Sequence, residues 1–196
     1  MVIKREVTRI HWNYFLALEE DFERLSRFVE LCDKNDSVYS IEIARLLLSA
    51  CSEVDVILQR LCKKLDPSVN ETGINFYRDF LHPKLRNFTD FGVEIPRYGM
   101  STRPWSNWND NKPPDWWSDH NKVKHHRHEH FDKATVKNCV NSLAGLFVAI
   151  LHLYSEHGGI VELSPTPRLF SVEDKFFGGV QIGRVGQSFI CLLNHA

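Results

Sequence analysis

The sequence predicts an all-α fold, a bundle of four to five helices with a Pro/Trp-rich loop and a small irregular or β C-terminal extension. Three observations carry this. Two long stretches repeat apolar residues at alternating spacings of three and four, which makes one apolar stripe on a helix. A late stretch is apolar nearly all round, as a central bundle helix must be. Proline and tryptophan gather between these stretches instead of interrupting them. The chain has 196 residues, enough for one sizeable core. It divides into a helical bundle domain over 1–157 and an extension over 158–196 packed on the same domain.

The first helix is marked by Phe15, Leu18, Phe22, Leu25, Val29 and Cys32, and Lys34-Asn35-Asp36 breaks the pattern. Charged side chains such as Glu19, Glu20 and Glu23 read as its solvent face. The second runs from about Ser40 to Leu65 along Ile43, Leu47, Ala50, Val54, Ile57, Leu61 and Leu65, and Asp66-Pro67 stops it. A shorter helix covers Gly73 to His82, with Tyr77, Phe80 and Leu81 inward. From Pro83 to Pro114 five prolines and two glycines separate aromatic residues, so a long structured loop is expected, with Val93-Glu94-Ile95 readable as a short strand. Asp115 then opens a Pro-free helix over Trp116 to Lys133. The core helix follows from about Ala134 to Tyr154, ended by Gly158-Gly159. In the tail, Ser164-Pro165, Gly178-Gly179, Gly183 and Gly186 punctuate short apolar pieces, which fits a few strands or an irregular cap.

A formal net charge of −1 excludes a generally basic nucleic-acid binder, so any phosphate-binding surface has to be local. The start Met1-Val-Ile-Lys-Arg-Glu lacks the apolar segment of a signal peptide, and Leu143–Tyr154 falls short of the ~20 apolar residues that span a bilayer. A cytoplasmic location with no membrane association is therefore expected. Five widely spaced cysteines without a C-x-x-C pair fit reduced core thiols.

One segment stands out chemically. Trp116 to Phe131 holds His120, His125, His126, His128 and His130, five of the ten histidines, together with Lys122, Lys124 and Arg127. Such a cluster makes a local, pH-tunable positive surface suited to phosphate. On a continuous helix His120, Lys124 and Arg127 share one face, and Asn121, His125 and His128 a second. RNA cleavage without a metal needs a base, an acid and cations around the transition state, and histidine with lysine or arginine can fill those roles.

His120-Asn121-Lys122-Val123-Lys124-His125, on a late polar helix that follows several long ones, resembles the Arg-Asn-x-x-x-His motif of the HEPN superfamily of helical-bundle proteins. Asn121 and His125 match, and His120 stands where the arginine would be. The resemblance implies that His125 is the catalytic histidine and Asn121 its orienting neighbour, in an active site shared across a homodimer. It implies a metal-independent endoribonuclease or RNA binder of a bacterial defence or toxin–antitoxin type system. Lys124, Arg127 and Lys122 would then hold phosphate together with His120, which also joins His125 and Asn121 as a catalytic candidate. The change from arginine to histidine removes a permanently charged bidentate group, which favours the alternative of a non-catalytic, dimerising interaction domain that recognises a protein or a structural RNA.

Other readings of the same residues stay open. The histidine-rich segment reads equally as a solvated polar face. A zinc site could use His126 with His130, or His125 with Glu129, but no third ligand is identifiable, so neither a metal nor a cofactor is expected. Trp105, Trp108, Trp116 and Trp117 can stack on unpaired bases, although aromatics in a proline-rich loop more often pin that loop to the bundle. Glu53 and Asp55 could pair with Lys124 or Arg127 across the bundle, and His152 reads as a core or dimer-interface histidine.

Overall fold

Each apolar stripe, apart from Val29, Cys32 and Leu65 at the ends, becomes a buried seam in the computed structural model, which describes residues 8–155, 159–183 and 186–193. Six α-helices occur among these residues: α1 (Ile10–Leu25), α2 (Ile41–Leu65), α3 (Ile74–Leu81), α4 (Asp115–His125), α5 (Arg127–His130) and α6 (Val136–Tyr154). The expected all-α class is corrected to a mixed α/β one, because two three-stranded antiparallel sheets accompany the helices. The first, ordered β2-β1-β4, joins β1 (Val93–Ile95), β2 (Met100–Thr102) and β4 (Ser171–Val172). The second, ordered β3-β6-β5, joins β3 (Ile160–Leu163), β5 (Phe177–Gly183) and β6 (Gly186–Leu192). Strands of two to four residues offer too few positions for a sequence period to be recognised, although burial does alternate along β3. The Glu94–Ser171 pairing also closes a long loop that no local pattern announces.

α1 differs from the expected helix at both ends. It starts early enough to bury His11 and Trp12, and it stops at Leu25, short of Val29 and Cys32. Beyond Leu25 the chain tightens into i→i+3 bonds (Arg27 N–H to Arg24, Phe28 N–H to Leu25), and the Ser26 hydroxyl donates to the Glu23 carbonyl. α2 begins where Ser40 caps it, its Oγ accepting from the Ile43 N–H at 3.1 Å. Thr135 caps α6 in the same way through the Asn138 N–H. α6 is long and apolar enough by length and composition to cross a membrane, yet 83% of its apolar window is buried inside the fold, as befits a central helix. It ends at Tyr154, before Gly159; Gly158 lies outside the described residues.

Tryptophans pin the long loop to α6. The Trp105 indole N–H donates to the Gly145 carbonyl (3.1 Å) and that of Trp116 to the Pro104 carbonyl (2.9 Å). Gly145 makes room for them, since a Cβ there would come within 2.8 Å of Trp116. The tail is tied in by a carboxylate. Glu19, expected on a solvent face, is buried, and its oxygens accept the backbone N–H groups of Arg168, Leu169 and Phe170 at 2.8–3.0 Å. Burial raises its pKa above the usual carboxylate value, while these bonds pull it back down. Gly178-Gly179, expected at a turn, instead lies within β5, where the register against β6 slips by one residue, a bulge that glycine accommodates.

Candidate nucleic-acid interface

α4 buries Trp116, Trp117, His120 and Val123 and turns Asn121, Lys122, Lys124 and His125 to solvent. The 3.6-residue period thus splits the proposed motif between two environments. Asn121 and His125 share the exposed side, whereas the position-120 ring lies beneath the surface.

The expected continuous helix over Trp116–Lys133 is interrupted at His126, whose φ and ψ are −137° and 48°. Its N–H closes α4 on the Lys122 carbonyl at 2.8 Å, and its own carbonyl accepts the N–H groups of Glu129 and His130 to start α5. The break is held from below. Asn138 on α6 donates through its side chain to Asp119 (3.0 Å) and to the Lys133 carbonyl (2.9 Å), which fixes α4 and the return to α6 together. Neither expected trio therefore shares one helix face, because Arg127 and His128 follow the break.

His120 is almost wholly buried against Trp117, with ring centroids 5.4 Å apart. Its Nδ1 has no partner among the described residues. Burial, reinforced by Lys124 and His125, pushes its pKa down to about 4, so the ring is neutral at physiological pH. It is not placed to clamp phosphate as the family's arginine would. His125, by contrast, is exposed at the last position of α4.

The cations divide by their partners. Lys122 is held by Asp119 at 2.8 Å, Lys133 faces Asp132, and His128 and His130 lie beside Glu129. Lys124 and Arg127 have no ion-pair partner among the described residues and are exposed. Lys122, Lys124 and His125 also fill the last turn of α4, where positive charge complements the helix dipole. His126 and His130 stand 6.5 Å apart between ring centroids. Among the described residues no group of three His, Cys, Asp or Glu side chains is placed to hold a metal ion.

Two clefts flank this segment. One, of about 650 Å³, is lined by Asp36, Asp115, Asp119 and Asp132 with Lys122 and Lys137 among its cations. Lys133 is the third of these, and Lys122 and Lys133 are paired with Asp119 and Asp132. The other, of about 630 Å³, runs between α2 and the α5 segment and is lined by Ile41, Ala44, Leu48, Phe131, Arg45 and Arg127. His125 lines neither.

Trp105, Trp108, Trp116 and Trp117 are all buried and pack on one another and on Phe88 and His120, so they pin the loop and leave no open face for a base. His152 is a core residue, edge-on to Phe88 at 4.8 Å, and burial brings its pKa to about 4. Four of the five free cysteines are buried.

A second polar constellation is not marked in the sequence. Glu53, expected to pair with Lys124 or Arg127, instead accepts from His11 Nδ1 at 2.5 Å, and Arg60 Nη1 lies 3.0 Å from His11 Nε2. Arginine can only donate, so Nε2 is the acceptor and Nδ1 carries the proton. Asp55 lies near the Tyr77 hydroxyl. The only available signal was a 42-residue separation, which carries no local pattern.

No known family model, curated protein or solved structure matches this chain.

Proposed function

We propose that this chain is an RNA-binding domain of HEPN-like type whose phosphate-contacting surface is the exposed end of α4 and the start of α5. One observation carries the reading. Lys124, His125, His126, Arg127 and His128 form an unbroken exposed run at a helix break, and Lys124 and Arg127 have no ion-pair partner among the described residues. In a chain of net charge −1 such a surface is a local positive site.

Binding is better supported than cleavage. A buried, neutral His120 removes one of the two imidazoles that acid–base cleavage by this motif would use. This favours the non-catalytic branch, in which Asn121, Lys124, His125 and Arg127 hold an RNA backbone. The HEPN-like reading also carries the expectation of a homodimer and of a defence or toxin–antitoxin setting.

The test is the salt dependence of affinity for a labelled RNA, for wild type and Lys124→Glu/Arg127→Glu. Each lost phosphate contact on a single strand should lower the slope of log K against log salt by about 0.7. An unchanged slope and affinity in the double variant would remove the proposal. Incubation of a mixed RNA pool in EDTA with wild type and His125→Ala separates the branches. Cleavage by wild type alone would make the domain an endoribonuclease centred on His125.

A further inference from the structure

We infer that the groove between α2 and the α5 segment is a base-binding subsite, which takes an unpaired nucleobase of the RNA whose backbone runs along Lys124 and Arg127. This rests on the RNA-binding reading and adds to it the class of substrate, a single strand with at least one free base.

The groove's floor is apolar. Ile41, Ala44 and Leu48 recur on one side of α2, and Ile41, 81% exposed, leaves its apolar surface open to an occupant of the groove. Phe131 forms the opposing wall. Its ring is held edge-on by Tyr39 at 5.4 Å and 84°, which presents a fixed aromatic surface at low entropic cost. An apolar floor with an aromatic wall suits a flat heterocycle and not a phosphate.

The charges say which side the backbone takes. Arg45 at the groove edge is already engaged by Asp21 at 2.7 Å and by Glu42. Arg127 lines the same groove without an ion-pair partner among the described residues, and its planar guanidinium can both stack on a base and bond a phosphate. Lys124 is exposed three residues before Arg127, across the break at His126. Tyr39 also lines the other cleft, where four aspartates stand among Lys122, Lys133 and Lys137 and no apolar floor is formed. The apolar groove is thus continuous with the positive surface. A duplex cannot deliver a base into such a groove, because its bases are stacked and paired.

Fluorescence anisotropy of the full chain tests this with three labelled RNAs: a mixed single strand, the same strand with abasic sites, and a blunt duplex. Two variants serve: Phe131→Leu, which keeps apolar volume but loses the ring, and Ile41→Gln, which removes apolar surface without adding a charge beside Arg127. Wild type should prefer the base-bearing single strand about tenfold over the abasic one, and both variants should lose that preference while their abasic and duplex affinities stay unchanged. Equal wild-type affinity for all three RNAs would overturn the base subsite and leave the phosphate surface standing, as would variants that retain the full preference. Binding to none of them at low salt would overturn the RNA-binding reading itself.

Discussion

Replacing Glu19 by alanine should destabilise the protein more than any other single carboxylate deletion outside its ion pairs, because one side chain fastens the tail to α1. The carboxylate accepts three successive backbone N–H groups, from Arg168 at 3.0 Å, Leu169 at 2.8 Å and Phe170 at 3.0 Å, and the latter two are buried. Alanine leaves all three donors without an acceptor, and each unmet buried donor costs about 1–3 kcal/mol. Against this stands the relief of burying a charge, large enough to raise the Glu19 pKa despite the three bonds. The balance is a loss of about 3 kcal/mol, or roughly 6–12 °C in Tm for a chain of this size. Glu19→Gln should fall between wild type and Glu19→Ala, since one oxygen can still serve two N–H groups while the amide opposes the third. Urea unfolding gives the free energy, and hydrogen exchange of the 168–170 amides gives the locality. A loss below about 0.5 kcal/mol, or unchanged exchange at these amides, would refute the clamp.

Linkage supplies two pH predictions. His120 has a folded pKa of about 4 against 6.5, so the unfolded chain binds the proton first and stability falls as pH drops from 6.5 towards 4. His120→Leu should flatten the urea midpoint across that window by the equivalent of about 2 kcal/mol; an unchanged slope would mean the ring is not buried neutral. Glu19 works in the opposite sense. Its folded pKa is raised above 4.5, so its contribution is full below 4.5 and is lost as pH rises through the folded value, and wild type should gain on Glu19→Gln as the solution is acidified. Gly145→Ala should cost about 1–3 kcal/mol despite alanine's better helix propensity, because the new Cβ meets Trp116 at 2.8 Å; a rise in Tm would show that the indole yields freely. A double-mutant cycle on His11→Ala and Glu53→Ala should give a coupling of about 1–2 kcal/mol, and simple additivity would show that their bond adds nothing.

The helical part of this protein was legible because it is written locally. Ser40 and Asp66 bound α2 in the sequence and in the structure, and the apolar period through Ile43, Leu47, Val54 and Leu61 predicts the face that is buried. The exposed basic segment was legible for the same reason, since clustering in sequence on one short helix is clustering in space. His120 shows the limit. The spacing put it beside Lys124 and Arg127, but which side of α4 turns inward is decided by Trp116 and Trp117 packing on their neighbours, and they carry His120 in with them.

Local pattern therefore determined the course of α2, the presence of α1, α4 and α6, and the position of the positive segment, but not the end of α1 or the break at His126. Tertiary structure alone decided the pairing of β1 with β4, the capture of the tail by Glu19, the His11–Glu53 bond and the groove beside Phe131. The reason is physical: periodicity and capping act between residues a few positions apart. These contacts join residues from 42 to about 150 positions apart, or surfaces of separate helices, and they exist only once the core has brought them together.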